Sequence, residues 1–450
     1  MLTLTACVMA QLIGGVAWAA APGRALALAL TVLVMPRFGL REWLLLAVAL
    51  ALSAGLAVRP GGAQELVRAL SSGAYFAAFI LSMMLLREAA VTSASVLAVG
   101  AWLTRQPPGR RFVATWFGGH MAGILMNFGA VSLLAPLVQR GVRAETTETE
   151  DDRRRLAIRE RRQLSALIRG FAWVICWAPT TLTQAIILDA VPGLEHGPAM
   201  AAGLSLSAVM LGLGWAEDRL RWGRPRRAGG PRRPFPGRAA LDLLAIYTLL
   251  VLGALVVQWL VDATLPQALM TVAPLLLVGW VIAQARAGVI GGAGERLGAI
   301  VSVSVPRLAR DAYLLGIAGY IGITAAALAP VDEIAAWTRS AGIPGWAIIA
   351  ALPVLTVLGG QVALSPMMIV VFLAAVVAAL PELPASPEIV GVALGAGWAL
   401  SMTAAPNATG ALLIAGATGI PSTVTTWRWN GVYSLAALGV LTALAWLVVG

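Results

Sequence analysis

Ser401-Met402-Thr403-Ala404-Ala405-Pro406-Asn407-Ala408-Thr409-Gly410 interrupts an apolar run that extends from Ile389 to Ile420. It carries hydroxyls, an amide, a proline and a glycine where a membrane helix carries Leu and Val. Pro406 has no backbone N–H to donate and its ring clashes with the turn before it, so the helix is expected to break here. In hydrocarbon, carbonyls freed by a break are tolerated only inside protein or beside a wet cavity. A broken helix with a polar centre is therefore a candidate site. A second stretch of this kind, Ala178-Pro179-Thr180-Thr181-Leu182-Thr183-Gln184, interrupts the apolar segment Gly170–Val191.

The chain around these stretches has the composition of a bilayer protein. Of its 450 residues 59% are hydrophobic and 12% charged, with a mean hydropathy of +0.84; soluble domains carry about 25% charged residues. The reading is an all-α polytopic membrane protein with about 11 transmembrane helices, each near the length needed to cross the hydrocarbon. All 32 basic residues are Arg, giving a net charge of +11. They gather in loops, as the positive-inside rule requires of cytoplasmic segments, so a nucleic-acid partner is not indicated. Cys7 and Cys176 fall in separate apolar segments without metal-ligand spacing, and no cofactor is expected.

In chain order, Leu2–Ala20 reads as an extra first span (residues 1–23), with its N-terminus inside. Its Ala17-Trp18-Ala19-Ala20 end would suit a signal peptidase, but the basic leader region of a signal peptide is missing. Spans near Arg24–Pro36, Trp43–Val58 and Ala69–Leu86 follow, then an interfacial helix at Ala89–Leu103. Phe112–Val138 has Arg at both ends, which marks a re-entrant hairpin open to the inside, and Glu145–Arg169 reads as a solvated, mixed-charge helix. The loop Glu217–Arg238 carries eight arginines, two acids and four prolines and divides the chain. It separates a first repeat (residues 24–215) from a second (239–450) through a cytoplasmic linker (216–238). In the second repeat, spans near Ala239–Trp259 and Pro266–Ala283 lead to an Arg-bearing surface segment, Arg286–Arg310, and then to a span at Ala312–Leu328. The hairpin Trp346–Leu380 ends at an Arg-free segment and should open outward, and Val432–Val449 ends outside.

The parts thus occur twice in the same order. Ala74-Tyr75 recurs as Ala312-Tyr313, Ala101-Trp102 as Ala336-Trp337, Gly118-Gly119-His120 as Gly359-Gly360-Gln361, and Trp177-Ala178-Pro179-Thr180 as Ala404-Ala405-Pro406-Asn407. One hairpin faces in and the other out, so the halves are expected to be inverted repeats, each with a re-entrant hairpin and a broken helix. That is a transporter architecture with its solute near the midplane. In this layout the chain resembles the ion transporter superfamily of secondary carriers, including divalent-anion symporters and the large subunit of tripartite transporters. The segment Thr403–Gly410 is similar to the family's threonine-proline-proline-asparagine unwound stretch, and Pro179-Thr180-Thr181 is a weaker version. The resemblance implies a homodimer and, for the tripartite type, a periplasmic solute-binding partner. The hairpin tips, Leu125-Met126-Asn127-Phe128 and Leu364-Ser365-Pro366-Met367, lack the serine-asparagine-threonine triplet of the family's carboxylate carriers.

Convergence of the tips and breaks would bring together Asn127, Thr180, Thr181, Thr183, Gln184, Gln361, Ser365, Thr403, Asn407 and Thr409, a neutral hydrogen-bonding set. Bare helix N-termini suit anions and bare C-termini suit Na⁺. The threonines have a competing role in bonding back to the preceding turn, and Asn407 in bonding between helices. His120 is the candidate proton-coupling group, although its nearness to Arg110 and Arg111 also suits the aqueous surface. The expected function is secondary active transport, by symport with H⁺ or Na⁺, of a small anionic solute across the cytoplasmic (inner) membrane. The alternatives are the membrane subunit of a binding-protein-dependent tripartite transporter and, with less support, a membrane-embedded transferase; the favoured reading is not an enzyme.

Overall fold

The computed structural model describes residues 1–104, 106–143, 149–223 and 234–450. The first half of the chain forms α1 (Leu2–Leu12), α2 (Ala20–Val34), α3 (Leu40–Ala57), α4 (Gly62–Ala90), α5 (Ala94–Thr104), α6 (Pro108–Met126), α7 (Gly129–Arg143), α8 (Glu150–Val174), α9 (Leu182–Ala190) and α10 (His196–Trp222). The second half forms α11 (Gly237–Val261), α12 (Leu265–Arg286), α13 (Ala293–Ala299), α14 (Val305–Leu328), α15 (Val331–Ser340), α16 (Gly345–Gln361), α17 (Pro366–Ala378), α18 (Pro387–Ala404), α19 (Thr409–Thr418) and α20 (Gly431–Val449). Among the described residues nine helices are long and apolar enough to cross a membrane, and four shorter apolar helices accompany them. The protein is an all-α polytopic membrane protein.

Several boundaries differ from the sequence reading. The first apolar run is not one span: α1 stops at Leu12 before Gly14-Gly15, where Gly15 takes a positive φ of 63°, and a new helical run extends from Ala17 to Arg37. The surface segment expected at Arg286–Arg310 is mostly the start of a continuous helical run, Ala293–Leu328, that includes a π-helical stretch at Ile300–Ser304. The mixed-charge helix does not end at Arg169. As α8 it runs on through Gly170 to Val174, solvated at its start and buried from Gln163 onward. Of the expected linker, Glu217 and Asp218 belong to the last turns of α10, and residues 224–233 lie outside the described residues.

The chain divides into two compact units, Met1–Ser93 with Ala245–Gly342 and Met367–Glu382, and Ala94–Leu244 with Ile343–Pro366 and Leu383–Gly450. In the first, α3 and α14 run parallel. Arg37 donates to the Pro306 carbonyl, Glu42 pairs with Arg310, and the Ser53 and Tyr320 hydroxyls meet at 2.6 Å. Helices α4 and α14 run antiparallel, with Gly73 against Tyr320 and Ala77 against Gly316. A Cβ added at Gly316 would lie 2.8 Å from the Gly73 carbonyl oxygen, so glycine is what lets these two backbones touch. Small residues at a close crossing are how helices associate in lipid, where burying apolar surface between them yields no hydrophobic gain.

The second unit repeats one arrangement. Helix α6 runs parallel to α8, with Trp116 on Gly170 and Gly123 on Phe171 and Val174; α16 runs parallel to α18, with Thr356 on Gly397 and Gly360 on Ala405. Helices α8 and α18 are antiparallel: Cys176 faces Gly395, while Ile168 faces Gly410. The elements that the sequence pairs as repeats thus lie antiparallel within each unit, α4 against α14 and α8 against α18. The hairpins are less alike. Both arms of the first, α6 and α7, belong to the second unit, whereas the second hairpin leaves α16 there and places α17 from Met367 onward in the first.

Candidate functional site

Helix α8 unwinds after Val174 and α9 starts at Leu182, so the chain breaks around Pro179 as its sequence requires. A proline at position 179 leaves the Ile175 carbonyl without its helical donor, and the Gln184 amide supplies one at 3.2 Å. The Thr180 carbonyl accepts from Asn127 Nδ2 at 3.4 Å, and the Thr181 hydroxyl bonds back to the Ala178 carbonyl at 2.9 Å. Thr183 is buried beside them. The Thr180 hydroxyl is also buried, with no hydrogen-bond partner, a condition that buried polar groups rarely tolerate without a ligand or water.

The second break has the same construction. Helix α18 ends at Ala404, Pro406 and Asn407 make a turn, and α19 starts at Thr409. Gln361, the last residue of α16, donates its amide to the Ala404 carbonyl at 3.1 Å and accepts from Trp427 Nε1 at 3.0 Å. The Thr403 hydroxyl bonds to the Leu400 carbonyl and meets Ser434 at 3.3 Å. Asn407, Thr409 and Ser365 are half-buried, and among the described residues the Asn407 amide makes no hydrogen bond. Each break is thus held by a carboxamide from the end of the first arm of a helical hairpin, Asn127 at one and Gln361 at the other.

This geometry corrects two readings of the sequence. Gly118-Gly119-His120 and Gly359-Gly360-Gln361 are not counterparts: Gly119 packs on Leu167, well before its break, whereas Gly360 packs on Ala405 at the other. In bonding a carbonyl of its break, the counterpart of Gln361 is Asn127. The site residues also do not line one hollow. The contacts along α8 and α18 stagger the breaks by roughly 10–15 Å along the helix pair, at the α-helical rise per residue. They form two groups, Asn127, Thr180, Thr181 and Thr183 in one and Gln361, Thr403, Asn407 and Thr409 in the other.

His120 does not sit at the aqueous surface. It is 2% exposed, stacked between Trp116 and Trp177 with centroids 4.5 and 5.6 Å away. Its Nε2 accepts from Trp177 Nε1 at 2.8 Å, and an indole N–H is a donor only. The ring proton is therefore on Nδ1, donated to the Gly170 carbonyl at 2.8 Å. Both nitrogens are committed to joining α6, α8 and the start of the first break, which leaves the neutral ring no free position for a second proton.

Sequence reasoning missed Arg169. It is 2% exposed, donates Nε to Asn430 at 2.8 Å and Nη1 to Glu217 at 3.0 Å, and lies 3.9 Å from the Tyr433 ring centroid. It ties α8 to α10 and α20. The signal was an ionisable residue inside the run Leu164–Val174, masked by the charged residues that precede it.

The fold and site define a polytopic helical protein with two antiparallel broken helices, each clamped by a hairpin amide. The chain is similar in structure to the YdaH transporter of Alcanivorax borkumensis, with a TM-score of 0.60 and 16% identity over 90% of this chain and 97% of that one. At that identity the likeness is one of fold. No family model matches the chain, and no curated protein matches it.

Proposed function

We propose that this protein is a secondary active transporter of a small anionic solute across the cytoplasmic membrane, driven by H⁺ or Na⁺ through alternating access. The observation that carries the reading is the pair of antiparallel broken helices with matching carboxamide clamps. Broken helices are tolerated in a bilayer only inside protein or beside a wet cavity, and inverted repeats of this kind are transporter architecture. The bare N–H groups at the starts of α9 and α19 suit an anion, and bare C-terminal carbonyls suit Na⁺. The unpartnered Thr180 hydroxyl at the first break and the Asn407 amide at the second are the groups free to meet a solute, at successive points of its path. Thr181, bonded to the Ala178 carbonyl within the unwound segment, and Thr403, bonded to its own helix, shape the breaks. The YdaH likeness supports the same reading. In this proposal the Arg-bearing ends face the cytoplasm and the two hairpins are re-entrant from opposite sides.

The test uses purified protein screened by thermal shift against carboxylates, amino acids and inorganic anions, with and without Na⁺ and across pH. The stabilising compound is then followed into proteoliposomes. Thr180→Val and Asn407→Ala should each abolish uptake while the protein stays folded. Full uptake by both variants would refute the site.

A further inference from the structure

We propose that an arginine-lined pocket beside the middle of α8, separate from the unwound segment after Val174, binds a phosphate-class oxyanion, supplied either as free inorganic phosphate or as the phosphodiester of an anionic lipid headgroup. The pocket is half open, about 230 Å³ with its mouth included. Four guanidinium groups line it, Arg161, Arg162, Arg169 and Arg221, against two carboxylates, Glu217 and Asp218. Asp218 is taken by Arg162 in a two-pronged pair at 2.8 and 2.6 Å, and Glu217 is shared by Arg169 and Arg221. Arg161 meets no carboxylate among the described residues; it donates to the main-chain carbonyls of Arg428 and Trp429. It does so beside Arg221, Arg169 and Arg428, whose like charge the nearby Glu217 carboxylate offsets only in part. Two positive charges therefore stay uncompensated in a partly desolvated space.

A second observation points to a ligand. Ser165 lines the same pocket at 5% exposure, and its hydroxyl has no hydrogen-bond partner. Protein groups leave a buried donor unpaired only rarely. The enclosed bottom of the pocket is about the size of one water, so a tetrahedral oxyanion would enter by one oxygen, with the rest in the mouth. Planar guanidinium groups and a hydroxyl are the donor set that matches phosphate oxygens. Trp222 and Trp429 also line it, the residue type found where protein meets lipid headgroups.

The experiment has two arms on the full-length protein. In detergent, after washing away bound lipid, thermal unfolding is followed against rising sodium phosphate, with sodium chloride of matched ionic strength as reference. In nanodiscs, the unfolding temperature in phosphatidylglycerol is compared with that in phosphatidylcholine. A saturable rise with phosphate assigns the free anion, and a rise in phosphatidylglycerol alone assigns the headgroup. In either arm Arg161→Gln with Arg221→Gln should weaken the apparent affinity at least about tenfold. Should that variant not fold, Ser165→Ala decides, since it removes a hydroxyl that bonds to nothing in the free protein; it should weaken affinity several-fold. No rise in either arm, or a rise that these variants leave unchanged, overturns the proposal.

Discussion

Replacing Gln361 by Ala tests whether the second break is held by its hairpin. The substitution removes the donor to the Ala404 carbonyl and the acceptor for Trp427. Ala404 is buried, so its carbonyl loses a partner that water cannot replace, at a cost of about 2 kcal/mol. Trp427 is exposed, so the loss of its acceptor adds less than the buried carbonyl does. Gln361→Glu should cost at least as much, because a carboxylate sets an acceptor against the carbonyl. Asn127→Gly should cost less. Its bond to Thr180 is long at 3.4 Å, and glycine relieves the positive φ of 49° that Asn127 adopts, which offsets the loss of its 2.9 Å bond from the Phe128 N–H. Hydrogen exchange with mass spectrometry reads this locally. The Ala405 and Ala408 amides, bonded to Ser401 and Ala405, should exchange about thirtyfold faster in Gln361→Ala, as about 2 kcal/mol dictates. The Thr181–Ala185 amides should not change. Equal acceleration at both breaks, or none at Ala405, would refute the clamp.

Arg169→Met should destabilise the protein by about 3 kcal/mol in thermal unfolding, near the low end for a broken buried pair because Glu217 keeps Arg221 at 3.3 Å. Arg169→Lys should recover only part of that, since an ammonium cannot reach Asn430 and Glu217 together while lying flat on Tyr433. Gly316→Ala should cost about 1–3 kcal/mol by forcing α4 from α14, measured the same way; unchanged stability would mean that the Gly73–Gly316 crossing is loose. Nitrogen chemical shifts should show His120 neutral with its proton on Nδ1 at neutral pH, and a doubly protonated ring would refute its structural role. Gly203→Ala should disturb the first break from α10, because the added Cβ would lie 2.1 Å from the Cys176 carbonyl oxygen. Faster exchange confined to residues near Cys176 checks it.

The two breaks were legible because proline among hydroxyl residues in an apolar run admits few other structures. The tip at Asn127 was legible for a similar reason. The pairing of Gly-Gly motifs misled, since glycine marks any close helix crossing and does not say which one. His120 misled because nearness to Arg110 in sequence is not nearness in space: ten residues of helix carry it about 15 Å away. Arg169 was hidden by its neighbours, whose charges made the start of α8 look solvated throughout. The pairing of Asn127 with Gln361 as equivalent clamps required knowing which helices run side by side, which no local pattern records.

Helix α8 is a single uninterrupted rod of 25 residues, about 37 Å long. Arg161 and Arg162 stand at its midpoint, and its C-terminal end is the edge of the first break. A stiff shaft of this kind cannot pivot at one end and stay still at the other. A displacement of its charged N-terminal half therefore also displaces the edge of the first break, where Gln184 and Asn127 hold the Ile175 and Thr180 carbonyls.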